Sequence, residues 1–328
     1  MTARDYIDGV LAGNRTILAR AITLIESHAP RHAPVAAEVV HALLPHAGRS
    51  IRVGITGVPG VGKSTFIEKL GLRLCRAGHR LAVLAVDPSS ALTGGSILGD
   101  KTRMEELARE PACFIRPTPS GGTPGGVARK SRETIWLCEA AGFDVVLVET
   151  VGVGQGEVTV RSMVDFFLLL LLTGAGDELQ GIKKGIIEMA DALVVAKADG
   201  ANAAGARAFR AELEMVLHHL SSRSPGWRVP VLTCSAIEDS GVSGVWEVVE
   251  RFRREAGESG FLTRQRAHQA LDWTREMLAA ELWNRFSAHP AVRREWDVLA
   301  VRILNGEIPP PLAVRQLLAL QENHDPKN

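Results

Sequence analysis

The sequence lacks paired cysteines, a charge imbalance and long apolar runs, and each shortage removes a class of function. Its four cysteines, Cys75, Cys113, Cys138 and Cys234, lie far apart and form no C-x-x-C pair. That spacing argues against a zinc or disulfide framework and fits a reducing cytoplasm, the expected location. Lys+Arg (38) and Asp+Glu (37) nearly cancel, so no basic field points to nucleic acid or an anionic membrane as partner. The most apolar run, 166–172, has seven residues, too short to cross a bilayer. It suits a central strand of a parallel sheet, buried on both faces. The opening residues, Met1-Thr2-Ala3-Arg4-Asp5, adjoin no apolar signal core, so export is not indicated. No internal repeat or low-complexity tract is present. The 328 residues, 46% hydrophobic and 23% charged, suit a globular chain of two domains, or one large domain with appendages.

Against these absences stands one complete motif. Gly57-Val58-Pro59-Gly60-Val61-Gly62-Lys63-Ser64-Thr65 satisfies G-x-x-x-x-G-K-[ST]. An alternating strand, Ile51-Arg52-Val53-Gly54-Ile55, precedes it, and a helical stripe of Phe66, Leu70 and Leu74 follows. That context distinguishes a phosphate-binding loop from an ordinary glycine-rich turn. The glycines let the backbone wrap an oligophosphate and aim N–H groups at its oxygens. The next helix presents its positive end to the same anion. Lys63 reaches the β- and γ-phosphates, and Ser64 offers its hydroxyl to Mg²⁺. The chain therefore reads as a binder of a nucleoside triphosphate.

The pattern along the chain divides it into three stretches. Residues 1–49 carry helical periodicity (Ile7, Val10, Leu11; Val39, Val40, Leu43, Leu44), interrupted at 28–34. Residues 50–255 alternate short apolar strands with helices, the pattern of a doubly wound α/β domain with a mostly parallel sheet. Strands are expected at 51–56, 81–86, 112–116, 144–149, 166–172, 192–196 and 229–233. Residues 256–328 return to helices, with a stripe of Leu271, Thr274, Leu278 and Leu282, and a last helix starting near Pro309-Pro310-Pro311.

Other elements fall at the expected strand ends, where open α/β sheets bind ligands. Asp87, before Pro88, either holds Mg²⁺ directly or through water, or serves only as a turn former. The loop from Leu92 to Met104 suits a segment ordering around a γ-phosphate, with Asp100 its preferred metal-linked carboxylate; a solvated loop is the alternative. The strand 144–149 ends in Glu149, as the second Walker element does in positioning Mg²⁺ or its waters. After it, Gly152 offers an N–H to the γ-phosphate, and Gln155 is a candidate for orienting the attacking water. Further on, Ala196-Lys197-Ala198-Asp199 resembles the guanine motif N-K-x-D, with Ala196 where Asn is expected. Asp199 has two acceptor oxygens for guanine's N1 and N2 hydrogens; adenine would leave the carboxylate unpaired. The missing Asn should cost loop rigidity and one polar contact. Cys234-Ser235-Ala236 follows another strand, as the element contacting the guanine oxygen through backbone N–H should.

With these elements in place the sequence resembles the MeaB/ArgK-type P-loop GTPases. The specific stretches are Asp87-Pro88-Ser89-Ser90, the run from Gly94 to Met104, Gly126-Val127-Ala128-Arg129-Lys130, Glu149 to Gln155, and Gly174 to Ile186. The resemblance implies a Mg²⁺-dependent GTPase that serves adenosylcobalamin-dependent methylmalonyl-CoA mutase as a chaperone, gating cofactor loading and protecting the mutase. It also implies a homodimer built through the C-terminal helices. It makes residues 177–188, otherwise a solvated charged loop, an additional switch segment. Within it, Lys183 or Lys184 is expected to swing toward the nucleotide when the mutase docks and to offset transition-state charge. Gly156 and Pro124 stand where the family pattern has Ser and Leu. Two other classes remain open at this point: a small-molecule P-loop kinase, and a nickel metallochaperone GTPase, which wants a Cys/His cluster that the scattered cysteines do not supply.

Overall fold

The computed structural model describes residues 1–27, 29–86, 104–118, 124–150, 156–174, 184–218 and 224–322. Their contacts gather into two compact units, Met1–Gln269 and Ala270–Asn328. The first contains seven strands: β1 (Ile51–Gly57), β2 (Leu81–Val86), β3 (Cys113–Thr118), β4 (Val145–Thr150), β5 (Phe166–Leu171), β6 (Ala192–Val195) and β7 (Val231–Thr233). They form one sheet in the order β3-β2-β4-β1-β5-β6-β7, parallel at every pairing. The expected doubly wound sheet is thus present, and each strand overlaps its expected position.

Ten helices among the described residues accompany the sheet: α1 (Ala3–Leu11), α2 (Arg15–Glu26), α3 (Ala33–Leu43), α4 (Lys63–Arg76), α5 (Glu105–Arg109), α6 (Pro124–Ala140), α7 (Gly156–Arg161), α8 (Lys184–Met189), α9 (Ala203–Leu217) and α10 (Val242–Glu258). Strand residues are apolar at successive positions because both faces are covered. In β4, Val145 and Leu147 join a core with Phe66 and Leu70 of α4, Leu107 of α5 and Phe252 of α10. Val146 and Val148 join the opposite core, with Val10, Ile22 and Val39 from the N-terminal helices, Ile135 of α6 and Val160 of α7. Residues 1–49 therefore pack as part of the sheet's own covering layer. Pro124, the departure from the family pattern, opens α6, where a missing N–H costs nothing. Gly54 lies in mid-β1, where a Cβ would meet Phe167 at 2.8 Å and Val160 at 2.9 Å; only glycine lets α7 pack this closely.

The N-terminal edge of the sheet is closed by three aspartates, each just ahead of a strand. Asp144 accepts from the Arg80 N–H (2.7 Å), Asp165 from the Arg52 N–H (2.8 Å) and Asp191 from the Phe167 N–H (2.9 Å). A basic side chain meets each one: His79, Arg266 and Arg161 respectively. Each carboxylate extends a neighbouring strand's hydrogen-bond ladder past its end, and this edge is stapled. Function is left to the opposite edge.

In the second unit, the later turns of α11 (Phe261–Ala288) accompany α12 (Pro290–Leu304) and α13 (Pro310–Glu322). A small core of Val292, Leu299, Ile308, Ala313 and Leu317 holds it. The stripe expected on α11 is exposed: Leu271 shows 57% of its surface and Leu278 and Leu282 58%; Trp283, outside that stripe, shows 59%. Among the described residues no helix is long and apolar enough to cross a membrane.

Candidate active site

The site is built where β1 and β4 end side by side. Beyond β1 the chain turns through Gly57, at φ +154°, where a Cβ would sit 2.5 Å from the Leu170 carbonyl oxygen. Val58 and Val61 close a turn (Val61 N–H to Val58 O, 3.2 Å) that leaves Pro59 and Gly60 exposed at the tip. Gly62, at φ +100°, takes the left-handed conformation that starts α4, and the Phe66 N–H returns to its carbonyl at 2.9 Å. Among the described residues no side chain caps this helix start and no acid occupies its first turn. Its N–H groups and positive end suit an anion.

Lys63 is buried, and its Nζ donates to the carbonyls of Gly57 (2.8 Å) and Val58 (3.3 Å), which holds the ammonium inside the loop. Ser64 Oγ donates to Glu149 Oε1 across 3.3 Å, bringing the hydroxyl and the β4 carboxylate together. Thr65 is exposed on the next position. Beside them, the hydroxyls of Thr56 and Thr150 bond at 2.7 Å and tie the C-terminal ends of β1 and β4.

The ends of β6 and β7 form the second half. The Cys234 N–H donates to Val195 O (2.9 Å) and the Ala198 N–H to Cys234 O (3.0 Å), so the two loops continue the sheet's pairing. Lys197 sits at φ +54°, and its Cε lies 3.9 Å from where a Cβ on Gly62 would be. The lysine stem therefore lies near the phosphate loop. Ser235 Oγ donates to Asp199 Oδ2 and accepts from the Glu238 N–H at 3.1 Å. Paired backbone bonds between Ser235 and Ser240 (2.9 and 3.0 Å) fold the 235–240 segment back, leaving Ala236 partly exposed. Burial, aided by the Asp199 charge, pushes the Cys234 thiol up to about 12, so Cys234 contributes its backbone and a neutral side chain.

The structure therefore assembles Gly57 to Thr65, Glu149, Lys197, Asp199 and Cys234 to Ala236 along the C-terminal edge of one sheet. Asp87, Asp100, Gly152, Gln155 and Lys183 lie outside the described residues.

The family described as methylmalonyl Co-A mutase-associated GTPase MeaB matches residues 18–291. The chain belongs to this family. A probable GTPase of Mycobacterium tuberculosis is 51% identical over 320 residues, covering 96% of this chain and 95% of that protein. GTPase ArgK of Escherichia coli is 45% identical over 316 residues, covering 96% of each. The mouse protein named methylmalonic aciduria type A homolog, mitochondrial, is 43% identical over 327 residues, covering 96% of this chain and 79% of its own. A solved structure titled LAO/AO transport system kinase superposes with a TM-score of 0.79 at 38% identity, covering 98% of this chain and 97% of that one.

This MeaB-family chain is a GTP hydrolase, as its resemblance implies. Several residues of its site were not singled out from sequence. Thr56 and Thr150 stand next to recognised motif residues, yet only strand order makes them neighbours. Arg73 of α4 grips Asp239 with two bonds (2.9 and 2.6 Å), tying the phosphate-loop helix to the loop after Ser235. Asn202, just past the base motif, bonds to Lys197 O at 2.7 Å.

Proposed function

We propose that this GTPase serves an adenosylcobalamin-dependent methylmalonyl-CoA mutase, gating cofactor loading and protecting the mutase, with GTP hydrolysis as the timer. The observation that supports the nucleotide half is the Ser235–Asp199 pair, at the same C-terminal sheet edge as the Lys63 loop, whose carboxylate has an acceptor for each N–H of a guanine edge. The family description and the mouse relative's name support the mutase half.

Hydrolysis is in-line attack of water on the γ-phosphate. The loop N–H groups and Lys63 stabilise the charge that develops on the phosphate oxygens, and the closed loop fixes the triphosphate for attack. Ser64 and Glu149 supply a hydroxyl and a carboxylate oxygen 3.3 Å apart, hard donors of the kind Mg²⁺ takes. They would hold the ion with Asp87 or Asp100, and bound Mg²⁺ supplies neutralisation of the β- and γ-phosphate charge. Gly152, Gln155 and Lys183 complete the proposal as γ-phosphate contact, water-orienting group and mutase-triggered cation.

The C-terminal helices, 256–328, are proposed to pair two copies. What supports this is apolar exposure within the second unit: Trp283, Trp296, Val301 and Leu304 each show at least half of their surface. Sedimentation should give a dimer for the intact protein and a monomer for Leu282→Glu/Trp283→Glu. A monomeric wild type would remove the dimer from the account.

Nickel delivery, the competing reading, needs a Cys/His cluster; among the described residues no three His, Cys, Asp or Glu side chains gather to hold a metal. A cytoplasmic site of action is part of the proposal. Its test is pull-down from cell extract with a non-hydrolysable GTP analogue present. A cobalamin-dependent mutase should be recovered; a hydrogenase or urease in its place would overturn the assignment.

A further inference from the structure

Position 196 holds an alanine where a guanine motif ordinarily has asparagine, and its buried methyl group can hold no polar neighbour. Yet the loop it begins is well determined. Lys197 adopts φ +54°, a conformation unfavourable for any residue with a Cβ, and one of only two such non-glycine residues among those described.

Asn202 accounts for this. It stands at the N-cap of α9, where an asparagine side chain normally accepts from the helix's own first N–H groups. Here it makes no such bond. Its carboxamide turns outward instead: Nδ2 donates to the Lys197 carbonyl at 2.7 Å, and Oδ1 accepts from the Thr173 hydroxyl just beyond β5. Its backbone N–H donates to the Asp199 carbonyl at 2.9 Å. One residue thus touches both ends of the Lys197–Asp199 segment and the neighbouring strand end. The bond to the Lys197 carbonyl fixes the left-handed turn that lays the lysine stem beside Gly62 and leaves Asp199 against Ser235.

We propose that Asn202 is a positioning residue for guanine recognition, bracing from position 202 the loop that residue 196 cannot brace. This rests on the reading of Asp199 as the group that takes the guanine edge.

The test compares nucleotide with bare phosphate. Asn202→Ala should weaken GTP binding about tenfold, the worth of one or two lost neutral hydrogen bonds, and leave binding of inorganic tripolyphosphate unchanged. Thr173→Val, which removes only the hydroxyl partner, should move GTP affinity in the same direction by a smaller factor. Adding Ala196→Asn to Asn202→Ala should recover part of the loss, since the carboxamide returns at the ordinary position. Wild-type GTP affinity in Asn202→Ala would overturn the proposal, as would equal losses for GTP and tripolyphosphate. Failure of the underlying reading looks different: Asp199→Asn would then bind GTP normally, whatever Asn202→Ala does.

Discussion

Replacing Lys63 with alanine is expected to lower GTP hydrolysis by about a hundred- to a thousandfold, the usual loss when one preorganised charge-stabilising donor is removed. The ammonium is buried and held by the Gly57 and Val58 carbonyls, so little rotamer freedom is lost when it meets phosphate oxygens. A cation in a water-poor loop acts on the γ-phosphate more strongly than a solvated one, because less dielectric screening intervenes. The loop itself should persist in Lys63→Ala, because Gly57, Gly62 and the apolar Val61 set its path. The measurement is phosphate release per enzyme under saturating GTP, with thermal unfolding as the control for folding. Activity within threefold of wild type, or about 0.7 kcal/mol of barrier, would contradict the role given to Lys63.

Asp199→Asn should carry the second large effect, a loss of GTP affinity of about a hundredfold with a gain for xanthosine triphosphate. Guanine offers two N–H donors on its N1/N2 edge, and a carboxylate has an acceptor for each. An asparagine replaces one acceptor with an amide donor, which opposes the guanine amino group. Xanthine has a carbonyl at that place and accepts from the same amide. The Ser235 hydroxyl, which donates to Asp199 Oδ2, holds the side chain so that it cannot rotate away from the mismatch. Competition of GTP, ATP and xanthosine triphosphate for wild type and variant gives the answer. Equal ATP and GTP binding by the wild type would remove the guanine assignment.

The fold was readable because its signals are local. Apolar runs such as Phe166–Leu171 follow from burial on both sheet faces, and the glycine-rich loop needs only nine consecutive residues. Interior strands differ from expectation by one residue at most at either end, and the larger differences fall at the edge strands, where one side of the ladder is unpaired. β3 runs on to Thr118, past the expected 116, and β7 begins at Val231, after Pro230, which has no N–H to donate. Most of the chemistry-bearing contacts that sequence did not disclose join residues far apart in the chain. Thr56 meets Thr150 because β4 is inserted beside β1, and Arg73 meets Asp239 across the fold. The departure at Ala196 was visible, with its expected cost in rigidity. Its compensation by Asn202 was not, because an asparagine ahead of a helix ordinarily reads as a cap.

If hydrolysis of GTP at this site reports to the mutase, single-turnover hydrolysis will respond to the mutase. The rate is measured for the protein alone, with saturating adenosylcobalamin-dependent methylmalonyl-CoA mutase, and with an unrelated protein at equal concentration. The expected result is a rise of at least about tenfold with the mutase only, equivalent to about 1.4 kcal/mol of barrier, and a smaller rise in Lys183→Ala or Lys184→Ala. An unchanged rate at saturating mutase, or the same rise with the unrelated protein, would contradict it.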